Sequence, residues 1–168
     1  MRNDTNRQNQ VNEQSETLAH GEAQESRLAR GQRMLAAIDG SAGEHVVASL
    51  ADIAPDFARY LLEFPFGDIY ARPGLDLRSR EIATIAALTA LGHAQPQLKV
   101  HVAAGLNVGL SEEEIVETIM QMAVYAGFPA ALNGLFSARE VFAARRESGG
   151  EDAQTTAELE AEEEMGAA

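Results

Sequence analysis

Residues 64–133 read FPFGDIYARPGLDLRSREIATIAALTALGHAQPQLKVHVAAGLNVGLSEEEIVETIMQMAVYAGFPAALN. Apolar side chains recur here at spacings of three and four, and the breaks between runs carry residues that start or stop helices. Asp76 precedes the run 77–91 as an N-cap. Pro96 opens a second run that ends near Asn107, with Gly109 close to the C′ position. Ser111 and Glu114 have the spacing of a capping box for a third run, through Tyr125. Gly127 ends that run, and Pro129 opens a last long helix expected to reach about Arg146. No alternating pattern bounded by hairpin turns occurs along the chain, so the fold class is all-α.

Working outward, Leu28, Leu35 and Ile38 share one face of a helix predicted over residues 25–38 and stopped by Asp39-Gly40. A short helix is expected over 44–52. Pro55 suits the first position of the next one, which carries Phe57, Tyr60, Leu61 and Phe64 before an expected break at Pro65. Arg72-Pro73-Gly74 then forms a turn. Residues 1–25 are rich in Asn, Gln, Glu and Ser and bury too little surface to offset ordering entropy, so they read as a disordered extension. The domain is placed at 26–147, followed by an acidic disordered tail, 148–168.

The length of 168 residues suits one domain with a sizeable core, and hydrophobic residues make up 45% of it. Aromatics are only 5%, with no Trp, which favours close helix packing. The net charge of -13 is uneven: eight acidic residues and no basic one lie from Glu147 onward, so the rest is mildly acidic. The basic footprint of a nucleic-acid binder is missing. The longest apolar run, 82–92, is too short to cross a bilayer, which argues against a membrane protein. With no apolar stretch in the first thirty residues, a cytoplasmic protein is expected. The absence of Cys excludes disulfides, thiolate metal sites and cysteine nucleophiles.

His101 stands out as a candidate for chemistry. Leu98, Val102 and Gly105 lie at helical spacing from it, so it faces inward, where an imidazole can work as a proton donor or acceptor. The alternative is a core histidine satisfied by a backbone carbonyl. Glu81, in the first turn of its helix, reads either as a carboxylate favoured by the helix dipole or as a general acid/base that orients His101. Arg78 and Arg80 oppose the dipole of the same helix and need a compensating anion. That anion is a bound carboxylate or an ion pair with Asp76, Asp68 or Glu81. Tyr125, Gly127 and Pro129 mark a helix break, which is plain punctuation or a ligand space edged by the Tyr125 hydroxyl and the Asn133 amide. His45, His93 and His101 are too scattered for a metal site, and no nucleotide-binding glycine pattern is present.

Arg80-Glu81, Leu98-Lys99-x-His101, the Gly109-x-Ser111-x-x-Glu114 box and Tyr125-Ala-Gly-Phe-Pro129, in this order, resemble the carboxymuconolactone decarboxylase family. The likeness spans roughly residues 50–142. It implies an alkyl hydroperoxidase D-like helical bundle whose subunits form ring-shaped homo-oligomers, trimers or hexamers. It also implies cofactor-independent loss of CO2 from a carboxylated lactone in aromatic catabolism. For that reaction His101, with Glu81 as orienter or alternative acid, is the candidate catalytic residue, Arg78 or Arg80 would hold the carboxylates, and Tyr125 and Asn133 are the substrate-binding candidates read from the helix break. A redox branch of the superfamily carries a Cys-x-x-Cys pair before the histidine. Here those positions are Ala94 and Gln97, which excludes dithiol peroxidase chemistry. Two other functions are open: a related lyase reaction on another β-keto or lactone acid, and a non-enzymatic helical assembly that binds a small acid or a partner protein.

Overall fold

The computed structural model describes residues 25–166, and the described part contains helices and no strand. The helices are α1 (Arg27–Asp39), α2 (Ser41–Ala48), α3 (Pro55–Leu61), a π-helical segment (Leu62–Tyr70), α4 (Leu77–Leu91), α5 (Gln95–Asn107), α6 (Glu112–Ala126) and α7 (Phe128–Gly166). The expected disordered extension lies outside the described residues except at Glu25, whose carboxylate meets the Arg33 guanidinium at 3.0 Å. No described helix is long and apolar enough to cross a membrane.

Local chemistry sets most of the boundaries. The Asp76 carboxylate accepts from Ser79 N–H at 2.8 Å and caps α4. Ser111 and Glu114 complete a reciprocal capping box on α6. Gly127, at φ 83°, supplies the positive dihedral that separates α6 from α7.

Three expectations are corrected. Helix α2 starts at Ser41 rather than at residue 44, because Gly40, at φ 55°, reverses the chain directly after α1. Helix α7 continues to Gly166, past the expected end near Arg146 and through most of the stretch read as a disordered tail. Pro65 does not break the chain; it sits inside the π-helical segment that continues α3. A proline in an α-helix meets the carbonyl four residues back, and the wider π turn relieves that contact.

Two apolar clusters form the interior. Ile85, Leu98, Val102, Leu110, Ile115, Ile119, Ala138 and Phe142 bring α4, α5, α6 and α7 together. Leu35, Ile38, Leu62, Phe66 and Ala104 join α1 and the π segment to α5. At the crossing of α1 with the π segment the backbones nearly touch. A Cβ at Gly31 would stand 2.1 Å from the Leu62 carbonyl oxygen, and one at Gly67 would stand 2.5 Å from that of Arg27. Ionic contacts flank the crossing, with Arg30 donating to the Gly67 carbonyl at 2.5 Å and both Arg27 and Arg30 paired with Asp68.

Candidate active site

The two clusters meet around a buried carboxylate. Glu81 lies one turn into α4, in line with Ile85, and is fully buried. His101 lies in the middle of α5, and its Nδ1 is 2.9 Å from Glu81 Oε2. With Glu81 ionised, that contact is an Nδ1–H donation, which fixes the ring and leaves Nε2 as its free nitrogen. The His101 side chain is 21% exposed, so the ring is reachable from solvent while its partner is not. Glu81 Oε1 has no hydrogen-bond partner among the described residues.

His101 opens into a cavity of about 280 Å³. Leu35, Val46, Leu61, Phe66, Pro96 and Val100 supply most of its wall, with Asp39, Gly43 and Gln97 completing the lining. The elements are α1, α2, α3, the π segment and α5, so the cavity forms only where the amino-terminal helices close over α5. Behind it, the Tyr70 hydroxyl is 2.8 Å from Thr84 Oγ1, and Thr84 also donates to the Arg80 carbonyl at 2.9 Å. Burial raises the Tyr70 hydroxyl well above its ordinary value; the Thr84 contact opposes this and the nearby Glu81 charge adds to it. Tyr70 therefore stays a neutral hydroxyl.

The structure brings His101 and Glu81 together and places the other candidate residues elsewhere in the chain. Arg78 grips both Glu114 oxygens, at 2.7 and 2.8 Å, and donates to the Gly109 carbonyl at 3.2 Å. The compensating anion for this cation is thus the capping-box glutamate of α6. The Ser111 backbone N–H, and then Arg78, hold the Glu114 carboxyl below its usual range. Arg80 donates to the carbonyls of Leu75 and Arg72 and lies over the Tyr70 ring, 5.7 Å from its centroid. Tyr125 is 77% exposed on α6, Asn133 is exposed on α7, and neither lines the cavity.

Asp39 is the residue that sequence reasoning missed, having read it as part of a helix stop. It is only 7% exposed and lines the cavity with His101. The signal was its place four residues after Leu35, on the inward face of α1.

Comparison with known proteins shows the family. The family model described as "Carboxymuconolactone decarboxylase family" matches residues 55–140, which include both Glu81 and His101. This chain belongs to the carboxymuconolactone decarboxylase family. Among the family relatives is a protein named 4-carboxymuconolactone decarboxylase from Acinetobacter baylyi. It is 37% identical over 94 residues, which cover 56% of this chain and 69% of that one. An uncharacterized 15.0 kDa protein of Paracoccus denitrificans is 35% identical over 117 residues, 69% of this chain and 87% of the relative. A protein named nitrosuccinic acid decarboxylase, from Metarhizium robertsii, is 31% identical over 97 residues, 55% of this chain and 66% of the relative.

Proposed function

We propose that this protein is a cofactor-independent carboxy-lyase of the 4-carboxymuconolactone decarboxylase type, with His101 as proton donor and Glu81 as the residue that orients it. The observation that carries the reading is the 2.9 Å contact between a fully buried glutamate and a histidine at the mouth of an apolar cavity. Family membership and the name of the Acinetobacter relative support it.

The chemistry follows from the substrate. When the C–C bond to the carboxylate breaks, CO2 leaves and its bonding pair stays on the ring, where the conjugated lactone carbonyl takes it up as a dienolate. Protonation of carbon then closes the reaction, and one proton is consumed. A protonated His101 supplies that proton and returns to neutral imidazole, with Glu81 offsetting its positive charge beforehand. Apolar walls favour the loss of a charged carboxylate as neutral CO2. The reaction needs no electron sink outside the substrate.

A second reading places the same machinery on another activated acid. It is favoured by the relative named for nitrosuccinic acid, whose nitro group can take up the electron pair as the lactone carbonyl does.

The test is turnover of γ-carboxymuconolactone and nitrosuccinate by the purified protein, its His101→Gln and Glu81→Gln variants, and Tyr125→Phe. Loss of the proton donor is expected to lower kcat by about 10²-fold or more in His101→Gln, with helicity unchanged. Tyr125→Phe, altered at an exposed position, is expected to keep the parental rate. Parental turnover by His101→Gln would overturn the assignment. Binding of both acids without turnover of either would favour a non-enzymatic binding protein.

A further inference from the structure

Asp39 closes α1 and lies outside the 55–140 stretch matched by the family model, yet it shares the cavity wall with His101. Its position is fixed from several sides. Asn107 at the end of α5 donates to the Ile38 carbonyl at 3.2 Å, and Arg145 of α7 donates to the Asn107 side-chain oxygen at 2.9 Å. Helix α2 packs so closely that a Cβ on Gly43 would stand 3.0 Å from the Asp39 Cβ. The backbone and Cβ of Asp39 are therefore held in place, and Asp39 Oδ1 has no hydrogen-bond partner among the described residues.

An ionised carboxylate with one oxygen stripped of water and left without a donor is costly, whereas the neutral acid costs less and carries an O–H to give. Among the described residues the cavity wall includes no lysine or arginine, and Arg78 and Arg80 are engaged elsewhere. An acid entering this space meets the His101 ring, the Gln97 amide and the Asp39 carboxyl as its polar neighbours.

We infer that Asp39 is a substrate-binding residue that, in its acid form, donates its O–H to a carboxylate of the molecule occupying the cavity. The inference rests on the decarboxylase reading only in taking the ligand to be a carboxylic acid. Burial raises the Asp39 carboxyl to about 6, with the His101 charge opposing the rise and the Glu81 charge adding to it. The charged groups that act on it are His101 of α5 and Glu81 of α4, and its own charge acts on the Tyr70 hydroxyl of the π segment. Helix α2 turns Gly43 and Val46 to the cavity and carries Glu44 and His45 at exposed positions. A ligand carboxylate adds a negative charge beside Asp39 and drives it further toward the acid, so binding takes up a proton near neutral pH.

The experiment uses the full chain and γ-carboxy-γ-butyrolactone, a saturated lactone acid that lacks the double bond needed for turnover. Titration calorimetry at pH 7 in two buffers of different ionisation enthalpy gives affinity and proton uptake together. For the parent protein, Asp39 is expected to contribute close to one proton taken up per ligand. Asp39→Asn, which keeps an N–H donor, is expected to bind within about threefold of the parent and to lack that uptake. Asp39→Ala is expected to bind about tenfold to hundredfold more weakly, the scale of a lost hydrogen bond to a charged group. Circular dichroism of both variants is expected to match the parent. No binding by the parent, parental affinity in Asp39→Ala, or parental proton uptake in Asp39→Asn would each overturn the assignment. The expected binding pattern without turnover of γ-carboxymuconolactone would sustain it and overturn the lactone-decarboxylase reading. Turnover with an unchanged KM in Asp39→Ala would do the reverse.

Discussion

Burying Glu81 completely is costly unless its charge is balanced, and His101 is the group placed to balance it. Asp39 has no such partner, and its titration makes this visible in stability. Its pKa rises from 3.8 to about 6 in the folded protein, so between those values the native state holds a proton that the unfolded chain has released. Stability from this group is fully present below about pH 4 and is lost as pH rises through about 6. At pH 7.5 the loss is on the order of 3 kcal/mol. Asp39→Asn is therefore expected to raise Tm by roughly 10 °C at pH 7.5, with the gap shrinking toward pH 4.5. Thermal melts of parent and variant at the two pH values check this. A gap that widened on acidification would show that the carboxylate has a stabilising partner.

Among the elements, the crossing of α1 with the π segment sets the shape of the cavity, because each contributes wall residues, Leu35 and Asp39 from one and Phe66 from the other. The crossing depends on two glycines. Ala is ordinarily better than Gly inside a helix by about 1 kcal/mol, but at Gly31 its methyl would strike the Leu62 carbonyl. Gly31→Ala is expected to destabilise the protein by about 3 kcal/mol and to enlarge or collapse the cavity by separating the helices. Gly74→Ala, where an added methyl meets no atom within 4 Å, is expected to stay within about 0.5 kcal/mol of the parent. Urea unfolding of the two variants measures the difference. Equal midpoints would mean that the helices separate at little cost.

At the scale of the whole molecule, two apolar stripes are exposed among the described residues. Ile53, Phe57, Tyr60 and Phe64 recur along α3 and its approaches, and Phe128, Leu132 and Phe136 recur at four-residue spacing on α7. Val124 and Tyr125, in the last turn of α6, are also exposed, and Phe128 is 75% exposed. Surfaces of this kind mark contacts between chains, so a homo-oligomer is expected. Light scattering at micromolar concentration checks it, and a monomer mass for the parent would refute it. Phe128→Glu together with Leu132→Glu is expected to lower the mass if the α7 stripe carries the contact. Deleting residues 149–168 is expected to leave the bundle folded, because the buried part of α7 that joins the core reaches Phe142. A large fall in Tm of the shortened protein would show that the acidic segment docks on the core.

The sequence by itself determined the helices wherever the deciding hydrogen bonds span three or four residues. Asp76 with Ser79, Ser111 with Glu114 and the positive φ of Gly127 are all legible that way. It also marked His101 as inward-facing, because helical spacing alone sets which neighbours share its face. Other features depend on how helices cross, and one chain's spacing does not encode that. Glu81 and His101 are twenty positions apart and meet only because α4 packs on α5. Arg78 found its anion in Glu114, thirty-six positions away, rather than in any nearby acid. Pro65 has the local signature of a break, yet tertiary packing of Leu62 and Phe66 holds the chain helical through it. Asp39 joined the cavity only because the Gly31–Leu62 approach draws α1 close enough to wall off the space before His101.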